Sequence, residues 1–249
     1  MRNIGIICEG PTDYIVLKEI VDKITGANNY YVQLQPEPDL TGASGNGWKG
    51  VWKWCVDNAA MKEKLMKDIE PALDILIIQM DGDVSRKEKA AHCWCESTVC
   101  KNKHNYNPIE CDVKKETREA CPVVLPCVNH EESVNGYIDH LENLIGKWLN
   151  DLSDTYIVIP CDSIEAWIVA AYDEIENAEY VKDPWESIIA KKKFYHNIKI
   201  SGTKKRQKLF KEFVKVVCSN WPKVTELCVS AKKFEDAIVC LRKDGMKNR

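Results

Sequence analysis

Apolar residues in this chain fall into short unbroken runs and longer stretches of helical spacing, and the two alternate. Asn3 to Cys8 and Ile75 to Met80 are mainly apolar runs of strand length, the pattern of strands buried on both faces of a parallel sheet. Tyr156 to Ile159, closed by Pro160, is a third, and Val123 to Leu125 a short fourth. Tyr30 to Leu34 alternates as a half-buried strand does. Between them, Ile15, Val16, Ile20 and Ile24 repeat at helical spacing, with Thr12 or Asp13 as the expected cap. Helices are likewise predicted over Lys49 to Lys67, Val134 to Leu149 and Ile164 to Tyr172, and most of the chain beyond Pro184 reads as helical. Pro36 to Gly50 is a glycine-rich loop, and Val84 to about Glu119 is a polar insertion without a sustained period. Strands alternating with helices predict an α/β fold with a parallel sheet flanked by helices.

Two of the strand runs end in acidic clusters. The first reads Ile4-Gly5-Ile6-Ile7-Cys8-Glu9-Gly10-Pro11-Thr12-Asp13, the second Ile75-Leu76-Ile77-Ile78-Gln79-Met80-Asp81-Gly82-Asp83. Ligands of open α/β sheets sit past the carboxyl ends of the strands, so Glu9, Asp81 and Asp83 are expected at one edge. Carboxylates held together repel unless a cation intervenes, and hard oxygen donors select Mg²⁺ or Mn²⁺. Gly82 permits the bend that aims Asp81 and Asp83 the same way, and Gly10 lets the backbone approach a phosphate at a helix N-terminus. Each cluster alone also fits a plainer use: acidic residues enrich first helical turns, and Asp-Gly is common in tight turns.

Charge changes the picture. The formal net charge is -3, yet from Glu186 onward there are 17 Lys and Arg against 6 Asp and Glu, while the rest carries 18 against 32. An acidic body and a basic tail suggest metal on one and a polyanion such as nucleic acid on the other; a solvated lysine-rich helical face is the alternative. Lys204 and Lys205 are candidates for contact with a scissile phosphate, and Lys191, Lys192 and Lys193 at most for backbone contact. The basic region from 184 to 249 is expected to form a second, helical unit packed on a catalytic domain of residues 1 to 183.

Twelve cysteines without a signal-peptide pattern point to reduced thiols in a cytoplasmic setting, with Cys8, Cys161 and Cys240 read as small buried hydrophobes. Cys95, Cys100, Cys111 and Cys121 in the insertion are candidate ligands for a structural zinc, although their spacing lacks paired C-x-x-C motifs. Trp48, Trp52 and Trp54 fit core packing better than base stacking. No apolar stretch is long enough to span a bilayer as a helix.

A strand followed by Glu-Gly-x-Thr-Asp, then a later strand followed by Asp-x-Asp, resembles the Toprim domain of topoisomerases, bacterial primases and OLD-family nucleases. The chain is most similar to small stand-alone Toprim-like bacterial proteins, through Gly45-Asn46-Gly47-Trp48-Lys49-Gly50-Val51 and Ser163-Ile164-Glu165-Ala166-Trp167. The resemblance implies a Toprim-like Rossmannoid sheet and a metal-dependent nuclease acting on DNA or RNA. It implies Glu9 as metal ligand or general acid/base, Asp81 and Asp83 as metal ligands, and Asp13 and Glu165 as further acidic ligands. It also implies a bacterial anti-phage or DNA-processing setting with a separate ABC- or SMC-like ATPase, since the chain has no G-x-x-x-x-G-K-[ST] motif. A homo-oligomer and a non-catalytic nucleic-acid-binding or scaffold role both stay open.

Overall fold

The computed structural model describes residues 1–36, 47–85, 134–181, 183–190, 194–200 and 205–247. The cysteine candidates Cys95, Cys100, Cys111 and Cys121, the strand expected at Val123 to Leu125, Lys191 to Lys193 and Lys204 lie outside the described residues.

The chain opens with strand β1 (Asn3–Ile7), helix α1 (Pro11–Thr25) and strand β2 (Tyr30–Gln35). Helices α2 (Trp48–Asn58) and α3 (Lys62–Asp68) lead to β3 (Ile75–Gln79); α4 (Val134–Leu149) leads to β4 (Thr155–Val158) and then α5 (Glu165–Asp173). The C-terminal part comprises α6 (Pro184–Ile189), a hairpin of β5 (Phe194–Tyr195) and β6 (Ile198–Lys199), α7 (Gln207–Ser219), α8 (Trp221–Leu227) and α9 (Val229–Lys247).

Strands β1 to β4 form one parallel sheet in the order β2-β1-β3-β4. Helices cover both faces, which makes the architecture α/β and Rossmann-like. The uninterrupted apolar runs follow from that covering: Ile4, Ile6, Ile75 and Ile77 enter one core, while Ile7, Leu76 and Ile78 enter the other. The first core is closed by α1, α5, α7, α8 and α9, so the basic C-terminal region shares its apolar faces with the body. The second is closed by α2 and α4, and it takes Trp48 as a buried side chain with Trp52 and Trp54 packed against it. All three tryptophans thus pack on the core as expected, Trp48 buried and Trp52 and Trp54 partly buried.

Several expectations need correction. Helix α1 is not capped by Thr12 or Asp13: Gly10, with extended backbone, holds the cap position, and Pro11 starts the helix. Proline's fixed φ suits the first helical position, where its missing N–H costs nothing. The helix predicted over Lys49 to Lys67 breaks into α2 and α3 around a 3₁₀ turn at Ala59–Met61, where the Asn58 side chain donates to the Trp54 carbonyl. The stretch after Pro184 is mostly helical as expected, and the unforeseen element in it is a short hairpin whose two-residue turn, His196 and Asn197, takes positive φ (44° and 67°). Cys8 and Cys161 are buried as expected, but Cys240 is exposed, on the outward side of α9. No helix among the described residues is long and apolar enough to cross a membrane.

Candidate functional site

The strand order reverses between β1 and β3, since β2 lies outside β1 and β4 outside β3. A crevice opens past the carboxyl ends at such a switch point. Glu9 follows β1 there, Asp81 and Asp83 follow β3, and the loop after β4 runs alongside.

That loop is tied to the acidic turn through backbone. The Gly82 N–H donates to the Pro160 carbonyl at 2.8 Å, and the Asp83 N–H donates to the Asp162 carbonyl at 2.9 Å. A side chain at Gly82 would put its Cβ 2.8 Å from the Pro160 carbonyl oxygen and 3.2 Å from Cys161 Cα, so glycine is required by close approach. Asp162 is buried with φ of 60°. It follows a strand as the other carboxylates do, and that repeated pattern is the signal by which it could have been found.

Glu9 and Asp81 meet directly: the Asp81 N–H donates to Glu9 Oε1 at 2.7 Å. Gln79, wholly buried at the end of β3, joins them a second time. Its Oε1 accepts from the Glu9 N–H at 3.0 Å and its Nε2 donates to Asp81 Oδ1 at 2.7 Å. The Glu9 N–H can only donate, which fixes the amide's orientation. A polar residue inside an otherwise apolar strand is the signal that marks Gln79. On the other side of Glu9, the Gly47 N–H donates to the Glu9 carbonyl at 2.8 Å, with Gly47 at φ of 84°, a conformation suited to glycine.

Asp13 in the first turn of α1 and Glu165 at the start of α5 complete the cluster, both buried. Lys205, just before α7, places its ammonium 2.5 Å from Glu165 Oε1. Among the described residues, Glu165 Oε2 is buried without a hydrogen-bond partner.

The electrostatics follow from burial and crowding. Desolvation first, and then the charge of Asp83, hold the Glu9 carboxyl well above the usual carboxylate range. Desolvation, with Glu9, Asp13 and Asp83 behind it, does the same to Asp81. Asp13 is pushed up to about 7 by burial and by Glu165. Burial would lower the Lys205 ammonium, but Glu165 and Asp81 outweigh it and raise it instead. Burial is the largest cause of the three carboxyl shifts, and neighbouring negative charge adds to it.

All five carboxylates expected at the site, Glu9, Asp13, Asp81, Asp83 and Glu165, thus share one electrostatic neighbourhood with Lys205. Among the described residues, no three His, Cys, Asp or Glu side chains already converge as a metal-ligand set. The donors are nevertheless all oxygen, and Glu165 Oε2 is buried without a hydrogen-bond partner among the described residues. Both suit the chemistry of a hard divalent ion. Basic residues elsewhere in the C-terminal part are partly neutralised locally: Lys215 pairs with Glu212, Lys223 with Glu226, and Lys233 with Asp139 and Glu142. Comparison of the chain with protein-family models, with curated proteins and with solved structures finds no match.

Proposed function

We propose that the chain is a Toprim-like nuclease that uses Mg²⁺ or Mn²⁺ to hydrolyse phosphodiester bonds of DNA or RNA. The observation that carries this reading is the electrostatic coupling of five acidic side chains, from distant parts of the sequence, with one another and with Lys205 past the carboxyl ends of β1 and β3. Glu9, Asp81 and Asp83 would hold the ion, with Asp13 and Glu165 completing its surroundings. When bound, such an ion neutralises phosphate oxygens and lowers the pKa of a water.

The chain's own residues supply the rest. Gln79 keeps Glu9 and Asp81 in fixed relation through its two hydrogen bonds. The N-terminus of α1 follows β1 at the same sheet edge, and a helix N-terminus favours an anion. Lys205 offers a point charge for phosphate. In this reading ATP-driven control, and a role in anti-phage defence, belong to an assembly with a separate ATPase.

A second reading is a nucleic-acid-binding or scaffold subunit of the same fold with no chemistry of its own. The absence of a converged ligand set among the described residues favours it. The two separate on one assay. Plasmid, single-stranded DNA and tRNA are incubated with wild type and Asp81→Asn in Mg²⁺ or Mn²⁺. The nuclease reading expects cleavage by wild type, abolished by EDTA and lowered at least about a hundredfold in the variant. Equal activity in the two proteins, or none on every substrate with either metal, refutes it.

A further inference from the structure

Lys205 stands in an unusual relation to Glu165. The carboxylate is wholly buried at 0% exposure, while the lysine side chain is 39% exposed. A buried carboxylate needs a partner, because an uncompensated charge in the interior is costly. Lys205 is that partner at 2.5 Å, yet it reaches in from the rim, on the segment leading into α7. Its flexible four-carbon stem leaves the ammonium free to withdraw, whereas Glu165 on α5 is fixed.

The pairing is also incomplete. Among the described residues, Glu165 Oε2 is buried with no hydrogen-bond partner. One ammonium therefore leaves part of the carboxylate unsatisfied, and it faces Asp13 and Asp81 as well as Glu165. A doubly charged ion would balance these carboxylates better, but it could not sit beside the ammonium without strong repulsion.

We propose that Lys205 is a resident counter-ion that competes with a divalent cation for Glu165, so that metal entry displaces its ammonium toward the crevice, where substrate phosphate binds. The inference rests on the reading of the cluster as a metal centre. It assigns Lys205 two seats. On Glu165 it keeps the metal-free site folded, and on the substrate it serves as an anion contact available only once metal has entered. The ligand class is a hard divalent cation, Mg²⁺ or Mn²⁺.

The test needs no nucleic acid. Mn²⁺ binding is measured by titration calorimetry and by electron paramagnetic resonance on the full chain, for wild type, Lys205→Met, Lys205→Arg and Asp81→Asn. Lys205→Met removes the competitor and is expected to bind Mn²⁺ at least about tenfold more tightly than wild type; Lys205→Arg, which keeps the charge, is expected to bind within about threefold of it. In parallel, amine acetylation read by mass spectrometry reports the lysine itself. Labelling of Lys205 in wild type is expected to rise when Mn²⁺ is added, and labelling of Lys233, paired on the surface, to stay constant. If Asp81→Asn abolishes Mn²⁺ binding but Lys205→Met binds no more tightly than wild type, the competition is refuted and the metal centre stands. If Lys205 labelling is unchanged by saturating Mn²⁺, the displacement is refuted. If no variant binds Mn²⁺, both the competition and the metal centre fall.

Discussion

Gln79 offers the sharpest quantitative prediction, because its amide is buried and both of its ends are engaged. Replacement by Leu, close in volume, keeps the apolar packing but removes two hydrogen bonds at once. The bond to Asp81 involves a carboxylate and is worth about 1.5–3 kcal/mol, and leaving the Glu9 N–H without its acceptor costs about 1–3 kcal/mol more. Some of this is recovered, since a buried apolar side chain is cheaper to desolvate than an amide. A net loss of about 2–4 kcal/mol is expected. For a chain of this size that corresponds to a Tm lower by roughly 4–16 °C. Urea unfolding followed by circular dichroism, in EDTA, measures it directly. Gln79→Glu should be worse than Gln79→Leu, since it adds a carboxylate to a cluster already short of positive charge and places an acceptor opposite Asp81. A Gln79→Leu loss under about 0.5 kcal/mol, or a more stable Gln79→Glu, would show that the amide does not bridge the two acidic loops.

Other consequences follow from the same geometry. Asp13 titrates at about 7 in the fold, and Glu9 and Asp81 are also raised. The folded state therefore holds more protons than the unfolded chain between about pH 4 and 7, so metal-free stability falls as pH rises through that window. Scanning calorimetry across pH should show this fall, with Asp13→Asn flattening it and Mg²⁺ restoring stability above pH 7. Gly82→Ala drives a Cβ into the Pro160 carbonyl and should cost about 1–3 kcal/mol, read as a shift in the urea midpoint at unchanged slope. Ser230→Ala removes the acceptor of the buried Trp167 indole N–H (2.8 Å) and of the Cys161 N–H. The loop after β4 should loosen, with a loss of about 1–3 kcal/mol and faster amide exchange at Cys161 and Asp162.

Much of the site was legible because it obeys a positional rule. Residues that directly follow doubly buried strands gather at one sheet edge, so two apolar runs and the acids behind them located Glu9, Asp81 and Asp83 before any contact was known. Glu165 and Lys205 were named from local motifs, but their pairing was not, because nothing in linear spacing relates residue 165 to residue 205. Gln79 was passed over as part of an apolar run, its role visible only when β1 and β3 lie side by side. Asp162 is harder to find, because Pro160 closes the strand signal while the chain continues two residues further before this carboxylate. The hairpin at Phe194–Lys199 escaped because its turn uses His196 and Asn197 rather than the usual glycine. Helix α1 was found, but its cap was misplaced by three residues or fewer, since Thr12 and Asp13 are good cap residues that Pro11 pre-empts.

The central claim is that these carboxylates share a divalent ion, and Mn²⁺ anomalous diffraction from crystals soaked at near-neutral pH tests it most directly. The account predicts an anomalous peak between Glu9 and the Asp81–Asp83 turn, with carboxylate oxygens at about 2.0–2.2 Å and Lys205 withdrawn from Glu165. Saturating Mn²⁺ with no peak in that crevice, and Lys205 still seated on Glu165, would contradict it.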